Sequence, residues 1–269
     1  MRKWFLLLIF LISPLVSADE KVYTFGVVPQ QSASKLAKLW SPILRKLSQE
    51  TGMTIKFATA PTIPEFEMRL SKGEYDFAYM NPYHFVVFNK LPGYQAMNKA
   101  KDKAIKGVIV ARKDSNITSL DSLSGKTLAF PAPAAFAASI LTREHLASTG
   151  VVFQPQYVSS HDSVYISVAR GLYPAGGGVV RTFNNVSPKI RDELEIVWTT
   201  KGFTPHAIAA SPSIAEEDRV AVQQAISTLD SSELGAALLK KLSIKGFESA
   251  ENQDWDDVRK LKISMLGDL

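Results

Sequence analysis

The chain has 269 residues, 46% of them hydrophobic and 21% charged, with 31 Lys and Arg against 26 Asp and Glu and no cysteine. That is enough apolar material for one large or two modest domains. The lack of cysteine excludes disulfides, thiol chemistry and the lipid-anchoring cysteine of lipoproteins, and a net charge of +5 scattered along the chain is too mild for a nucleic-acid-binding surface.

Residues 1–18 stand apart. Arg2 and Lys3 precede an apolar run from Trp4 to Leu11, and Val16-Ser17-Ala18 offers a small-residue cleavage site. This is the pattern of a cleaved secretory signal. The run is short for a membrane span, and no later stretch is long enough for one. An exported chain of this kind suits a free, soluble periplasmic protein, and without Arg2 and Lys3 its net charge falls to +3.

From the mature start, Val22 to Val28 alternates like an opening strand and stops at Pro29. A polar loop, Gln30 to Ser34, precedes a helix over Lys35 to Gln49 with Leu36, Leu39, Trp40, Ile43, Leu44 and Leu47 on one face, closed by Gly52. Met53 to Ala58 reads as a strand and Ile63 to Leu70 as a short helix. The corner from Gly73 to Val86 follows. Tyr75 to Met80 is a short aromatic strand, Asn81-Pro82 stops it, and Tyr83 to Phe88 opens a new helix. The succession β-α-β-α-β-α argues for a parallel-rich sheet with helices on both faces. Such sheets bind ligands at the carboxyl ends of their strands, where this corner lies.

Lys106 to Arg112 is a further strand, preceded by the densest basic cluster, Lys99, Lys101, Lys103 and Lys106, which reads as a solvated face. A second series begins with the strand Gly125 to Phe130 and a helix over Ala134 to Thr149. It continues with a strand over Val151 to Val158, a helix over Ser163 to Arg170 capped by Ser159 to Asp162, and a glycine-rich strand over Ala175 to Val180. A helix over Ser187 to Glu193 and a strand over Glu195 to Thr200 lead out of it. Residues Ala207 to Ala210 and helices near 215–229, 232–242 and 254–265 complete the chain. Two βα lobes result, 19–108 plus 205–269 and 109–204, with hinge crossings at Lys106–Arg112 and Glu195–His206.

Several motifs in this order carry a resemblance. Asp76, Ala78, Pro82 and Tyr83 in the corner, Gly26-Val27-Val28-Pro29, Trp40-Ser41-Pro42, Ser124 to Thr127, Ser160-His161-Asp162 and Trp198-Thr199-Thr200 with Pro205 are similar to those of the phosphate/phosphite/phosphonate periplasmic substrate-binding proteins of ABC transporters. Asn81 stands where that family usually has glycine. The resemblance spans the mature chain and implies an α/β, type II periplasmic binding protein fold. It also implies a small ligand in the interlobe cleft, a membrane permease as partner, and neither cofactor nor nucleic acid. A sensing subunit docked on a membrane receptor is the alternative.

Members of the family typically grip the anion with a Ser-Thr-Ser-Gly turn at a helix N-terminus, where free amides and the helix dipole favour negative charge. Here that turn falls on Ala135, Phe136, Ala137 and Ala138, so the hydroxyls are gone; a family tyrosine falls on Ile63 and an acidic position near Pro174. Asn81, Tyr83 and His161 remain, with Ala135, Phe136 and Ala137, as the ligand-binding candidates. His161 either donates to an oxyanion or merely neighbours a cap; Tyr83 either donates its hydroxyl or packs; Phe136 either makes the cleft apolar or turns inward. Gly176 to Gly178 permit close approach of a ligand or another strand. His84, His145, His161 and His206 lack close metal-ligand spacing, although His84 and His206 could both face the cleft, and no nucleophile–base–acid set suggests catalysis. Intact-mass analysis of periplasmic extract is expected to give a mature chain starting at Asp19; a species retaining Met1 would refute the signal.

Overall fold

The computed structural model describes residues 21–266, so the signal expected over residues 1–18 lies outside the described residues. The strands are β1 Val22–Val27, β2 Thr54–Ala58, β3 Phe77–Met80, β4 Gln95–Ala100, β5 Gly107–Arg112, β6 Thr127–Phe130, β7 Gln154–Tyr157, β8 Ala175–Val179, β9 Leu194–Thr199, β10 Ala207–Ala210 and β11 Phe247–Ser249. The α-helices are α1 Ala33–Thr51, α2 Ile63–Ser71, α3 Pro82–Phe88, α4 Leu141–Ser148, α5 His161–Ala169, α6 Val180–Asn184, α7 Pro188–Arg191, α8 Glu216–Ser227, α9 Glu233–Lys241 and α10 Asp256–Arg259. Local chemistry sets the ends of several of these. Ser32, Thr62, Asn81, Ser160 and Ser232 cap α1, α2, α3, α5 and α9 with side-chain oxygens, and Gly52 closes α1 at φ 71°. Leu36, Trp40, Ile43, Leu44 and Leu47 of α1 are buried, as the 3.6-residue periodicity predicts.

The strands form two sheets, ordered β11-β4-β10-β3-β1-β2 and β7-β6-β8-β5-β9. Both are mixed rather than parallel-rich. In the first, β1 pairs parallel with β2 and β3, whereas β10 runs antiparallel to β3 and β4, and β11 to β4. In the second, β6 is parallel to β7 and β8, and β5 is antiparallel to β8 and β9. The reason is topological: β5 and β10 each enter their sheet from the other one, β10 between the earlier strands β3 and β4, and β5 at a place later flanked by β8 and β9. The chain passes between the sheets through 101–106 and 200–206, where Ile105 and Phe203 exchange backbone hydrogen bonds of 2.8 and 3.0 Å. The second passage is pinned by Trp255, whose indole N–H donates to the Pro205 carbonyl at 2.8 Å.

Strand β4 escapes sequence reading because its middle is polar. Asn98 is fully buried and donates to Ser227 Oγ at 2.8 Å, and Lys99 pairs with Asp254 at 2.8 Å. The basic cluster is therefore not one solvated face, since Lys101 also pairs, with Asp230 at 2.8 Å. The helix expected over Ala134 to Thr149 begins with a π-helical turn, Phe136–Ile140, before α4. The C-terminal helix shortens to a 3₁₀ turn, Asn252–Trp255, and α10.

Glycines explain how the π turn approaches the second sheet. A Cβ at Gly107 would collide with the Ala137 carbonyl, and one at Gly177 with the Ala138 carbonyl and the Phe130 ring. The glycine-rich β8 thus admits another backbone, one of the two uses its sequence allows. Gly177→Ala is expected to lower the free energy of urea unfolding by about 1–3 kcal/mol through overpacking. An unchanged unfolding midpoint would show that the π turn does not press on the sheet.

Candidate functional site

The boundary between the sheets is tied by short polar contacts. Asn81, at the β3–α3 corner, accepts from the His84 amide at 2.8 Å and donates to the Ala134 carbonyl at 3.3 Å. Across the same boundary the His161 amide donates to the Gln30 carbonyl at 3.0 Å. Asn81, Ala135, Phe136, Ala137 and His161, five residues singled out from sequence, line one small cavity together with Ile63. Its volume is about 10 Å³, no more than the ~10–15 Å³ that a single water needs. Phe136 is 1% exposed and meets Phe203 edge-on at 5.5 Å, so it turns inward, and Ala134 to Ala138 join the apolar core of the first sheet.

Tyr83 is placed elsewhere. Its hydroxyl accepts from the Leu266 amide at 2.8 Å, burial raises its pKa, and it lines none of the cavities described here. Its partner lies far along the chain, which no local pattern reveals. His84 is likewise turned away, bonded to Glu67 at 2.8 Å.

His161 sits in the first turn of α5 with Nδ1 hydrogen bonded to Thr182 Oγ1 at 3.1 Å, and Thr182 bonds the Tyr165 hydroxyl at 2.7 Å. Burial, and secondarily the charge of Arg181, pushes the His161 pKa down to about 3. In this geometry the ring is neutral at physiological pH and offers hydrogen bonds rather than charge.

A second cavity of about 120 Å³ adjoins the first, and Gln30, Ile105 and Val179 line both. Gln30 donates through Nε2 to His206 Nε2 at 3.0 Å and accepts from Arg181 Nη2 at 2.6 Å. This arrangement requires an unprotonated His206 Nε2, and burial, followed by Arg181, His161 and His84, lowers its pKa well below the ordinary value. The His206 ring stacks on Tyr79 at 4.9 Å. Sequence reading reached His206 but not Gln30, Tyr79, Lys103 or Arg181. The available signals were position: Gln30 follows the Pro29 stop of β1, and Arg181 follows the glycine-rich strand, both just beyond strand carboxyl ends. Among the described residues no group of three His, Cys, Asp or Glu could hold a metal ion, and no helix is long and apolar enough to cross a membrane.

Comparison with known proteins adds four findings. Residues 25–255 match the family of periplasmic substrate-binding proteins of phosphonate ABC transporters. The chain is 23% identical over 223 residues to the phosphate-import protein PhnD of Mycolicibacterium smegmatis, covering 72% of this chain and 67% of that protein. In structure it resembles PhnD1 of Prochlorococcus marinus, solved with methylphosphonate, at a TM-score of 0.80 with 22% identity, covering 90% of this chain and 98% of that one. It also resembles a binding protein of a Pseudomonas aeruginosa ABC phosphonate transporter, at a TM-score of 0.81 with 16% identity, covering 91% and 86%. These likenesses support the type II periplasmic binding fold.

Two of the buried histidines, His161 and His206, make stability depend on pH. A histidine in the unfolded chain titrates near 6.5, whereas folded His161 does so at about 3 and His206 well below its ordinary value. Below pH ~6.5 the unfolded state therefore binds more protons, and stability falls as pH drops, by up to about 1.4 kcal/mol per pH unit per histidine. Urea unfolding between pH 6.5 and 5, above the main carboxylate range, is expected to show this slope, and His206→Gln to make it shallower. An unaltered slope in the variant would contradict the burial of a neutral His206.

Proposed function

The chain belongs to the family of periplasmic substrate-binding proteins of phosphonate ABC transporters, and from that premise we propose that it captures a small ligand between lobes 19–108 plus 205–269 and 109–204 and presents it to a membrane permease. The relatives are transport proteins rather than enzymes. The observation that supports this reading most directly is the meeting of two mixed sheets over cavities lined from both sides and from both passages between them. Ligand capture then consists of closing the lobes about the two passages, a hinge motion.

The ligand differs from simple phosphate or methylphosphonate. Ala135, Phe136 and Ala137 bring backbone amides and no hydroxyl to the helix start. A hydrogen bond to a charged group contributes about 1.5–3 kcal/mol, so losing two or three weakens anion binding by roughly a hundredfold or more. A ligand with an apolar or aromatic body and one polar end suits a cleft whose helix start has lost its hydroxyls. Calorimetric titration is expected to show weak binding of phosphate and methylphosphonate by the wild type and tighter binding by the variant Ala135→Ser, Phe136→Thr, Ala137→Ser. Submicromolar phosphate binding by the wild type would refute this selectivity.

A further inference from the structure

We propose that the charged end of the ligand seats in the cavity bounded by Gln30, Tyr79, Lys103, Lys106, Arg181 and His206 rather than at the alanine-lined helix start, and that this cavity takes a small organic oxyanion, a phosphonate, sulfonate or carboxylate on an apolar body. The proposal rests on the reading of the chain as a solute-binding protein and adds to it the place and charge of the ligand.

Room is the first ground. The cavity has about 120 Å³ against about 10 Å³ beside Phe136, and only the larger exceeds the space of a few waters. Charge is the second. Arg181, Lys103 and Lys106 line it and no Asp or Glu does. Arg181 spends one N–H on the neutral Gln30 amide, and among the described residues neither it nor Lys106 pairs with a carboxylate. Lys103 donates to the Ser243 carbonyl at 2.7 Å and likewise lacks an acidic partner there. The contrast with Lys99 and Lys101, each paired with an aspartate at 2.8 Å, separates the cluster into a structural half and an unpaired half. Partial burial, then Arg181 and Lys245, holds the Lys103 ammonium below its ordinary pKa.

Donor geometry is the third ground. Tyr79 lines the cavity, and its hydroxyl, which is not among the sealed unpartnered groups, bonds no described residue and opens to the cavity. A phenol O–H facing the cavity is a donor available to an oxyanion beside Arg181. Ile105, Val179, Val180 and Ile244 supply an apolar wall for the remainder of the ligand. Because Lys103 and Lys106 lie on or beside one passage between the sheets, His206 on the other, and Arg181 in the second lobe, an anion there touches every part that closure must bring together.

Titration calorimetry with phenylphosphonate and benzenesulfonate tests this. The wild type is expected to bind at least one, and Arg181→Gln and Tyr79→Phe to weaken it, the former by about tenfold or more as one charged hydrogen bond is lost. The double variant Lys103→Ala, Lys106→Ala, on the exposed passage, gives the same reading should Arg181→Gln fail to fold. Binding within twofold of wild type in the folded Arg181 variant or in the double-lysine variant would overturn this seat and leave the solute-binding role standing. A wild type that binds neither probe nor methylphosphonate would overturn both.

Discussion

One residue, Gln30, holds the two sheets in register. Its carbonyl accepts from His161, its amide donates to His206 and its amide oxygen accepts from Arg181. The first bond reaches the start of α5, the second the returning passage into β10, and the third the segment after β8. Every one of these groups is at least partly buried, so each bond is made in a medium where leaving it unmade costs about 1–3 kcal/mol. The same side chain walls off the sealed space near Phe136 from the open basic cavity. Its position follows from Pro29, which ends β1 and delivers Gln30 to the carboxyl end of the sheet.

What could be read in advance follows a physical division. The strand–turn–helix corner was legible because proline and asparagine act locally: Pro82 cannot continue a ladder, and Asn81 caps the helix it begins. The gathering of Asn81, Ala135, Phe136, Ala137 and His161 at one cavity was legible through the order of motifs. The direction of Phe136 was not, because it depends on Phe203, which arrives only with the second passage. Tyr83 was misleading for the same reason: its hydroxyl is taken by the Leu266 amide. β4 went unseen because its buried Asn98 and half-buried Lys99 find partners on distant elements, which hydrophobic alternation does not register. The π turn was invisible in a run of alanines that favours any tight helix; the reason for its bulge lies in Gly107 and Gly177, which let its carbonyls settle onto the second sheet.

The two cavities impose opposite demands on closure. On one side Phe136 and Phe203 are buried against each other, and a buried phenylalanine contributes about 1.5–3 kcal/mol relative to exposure. That term favours closed lobes even when the cleft is empty. On the other side Arg181, Lys103 and Lys106 face one cavity with no acidic residue among them, and burial, then Arg181 and Lys245, holds the Lys103 amine below its ordinary pKa. Those terms favour open lobes. An anion in the proposed seat would change only the second set: it would pair the cations, while the aromatic contact of Phe136 and Phe203 would stay as it is. A ligand shifts a two-state equilibrium only by its differential affinity for the two states, and here the differential comes from groups that closure gathers and leaves unsatisfied. The apolar seal thus keeps the closed state near in free energy, and the basic cavity decides when it is occupied.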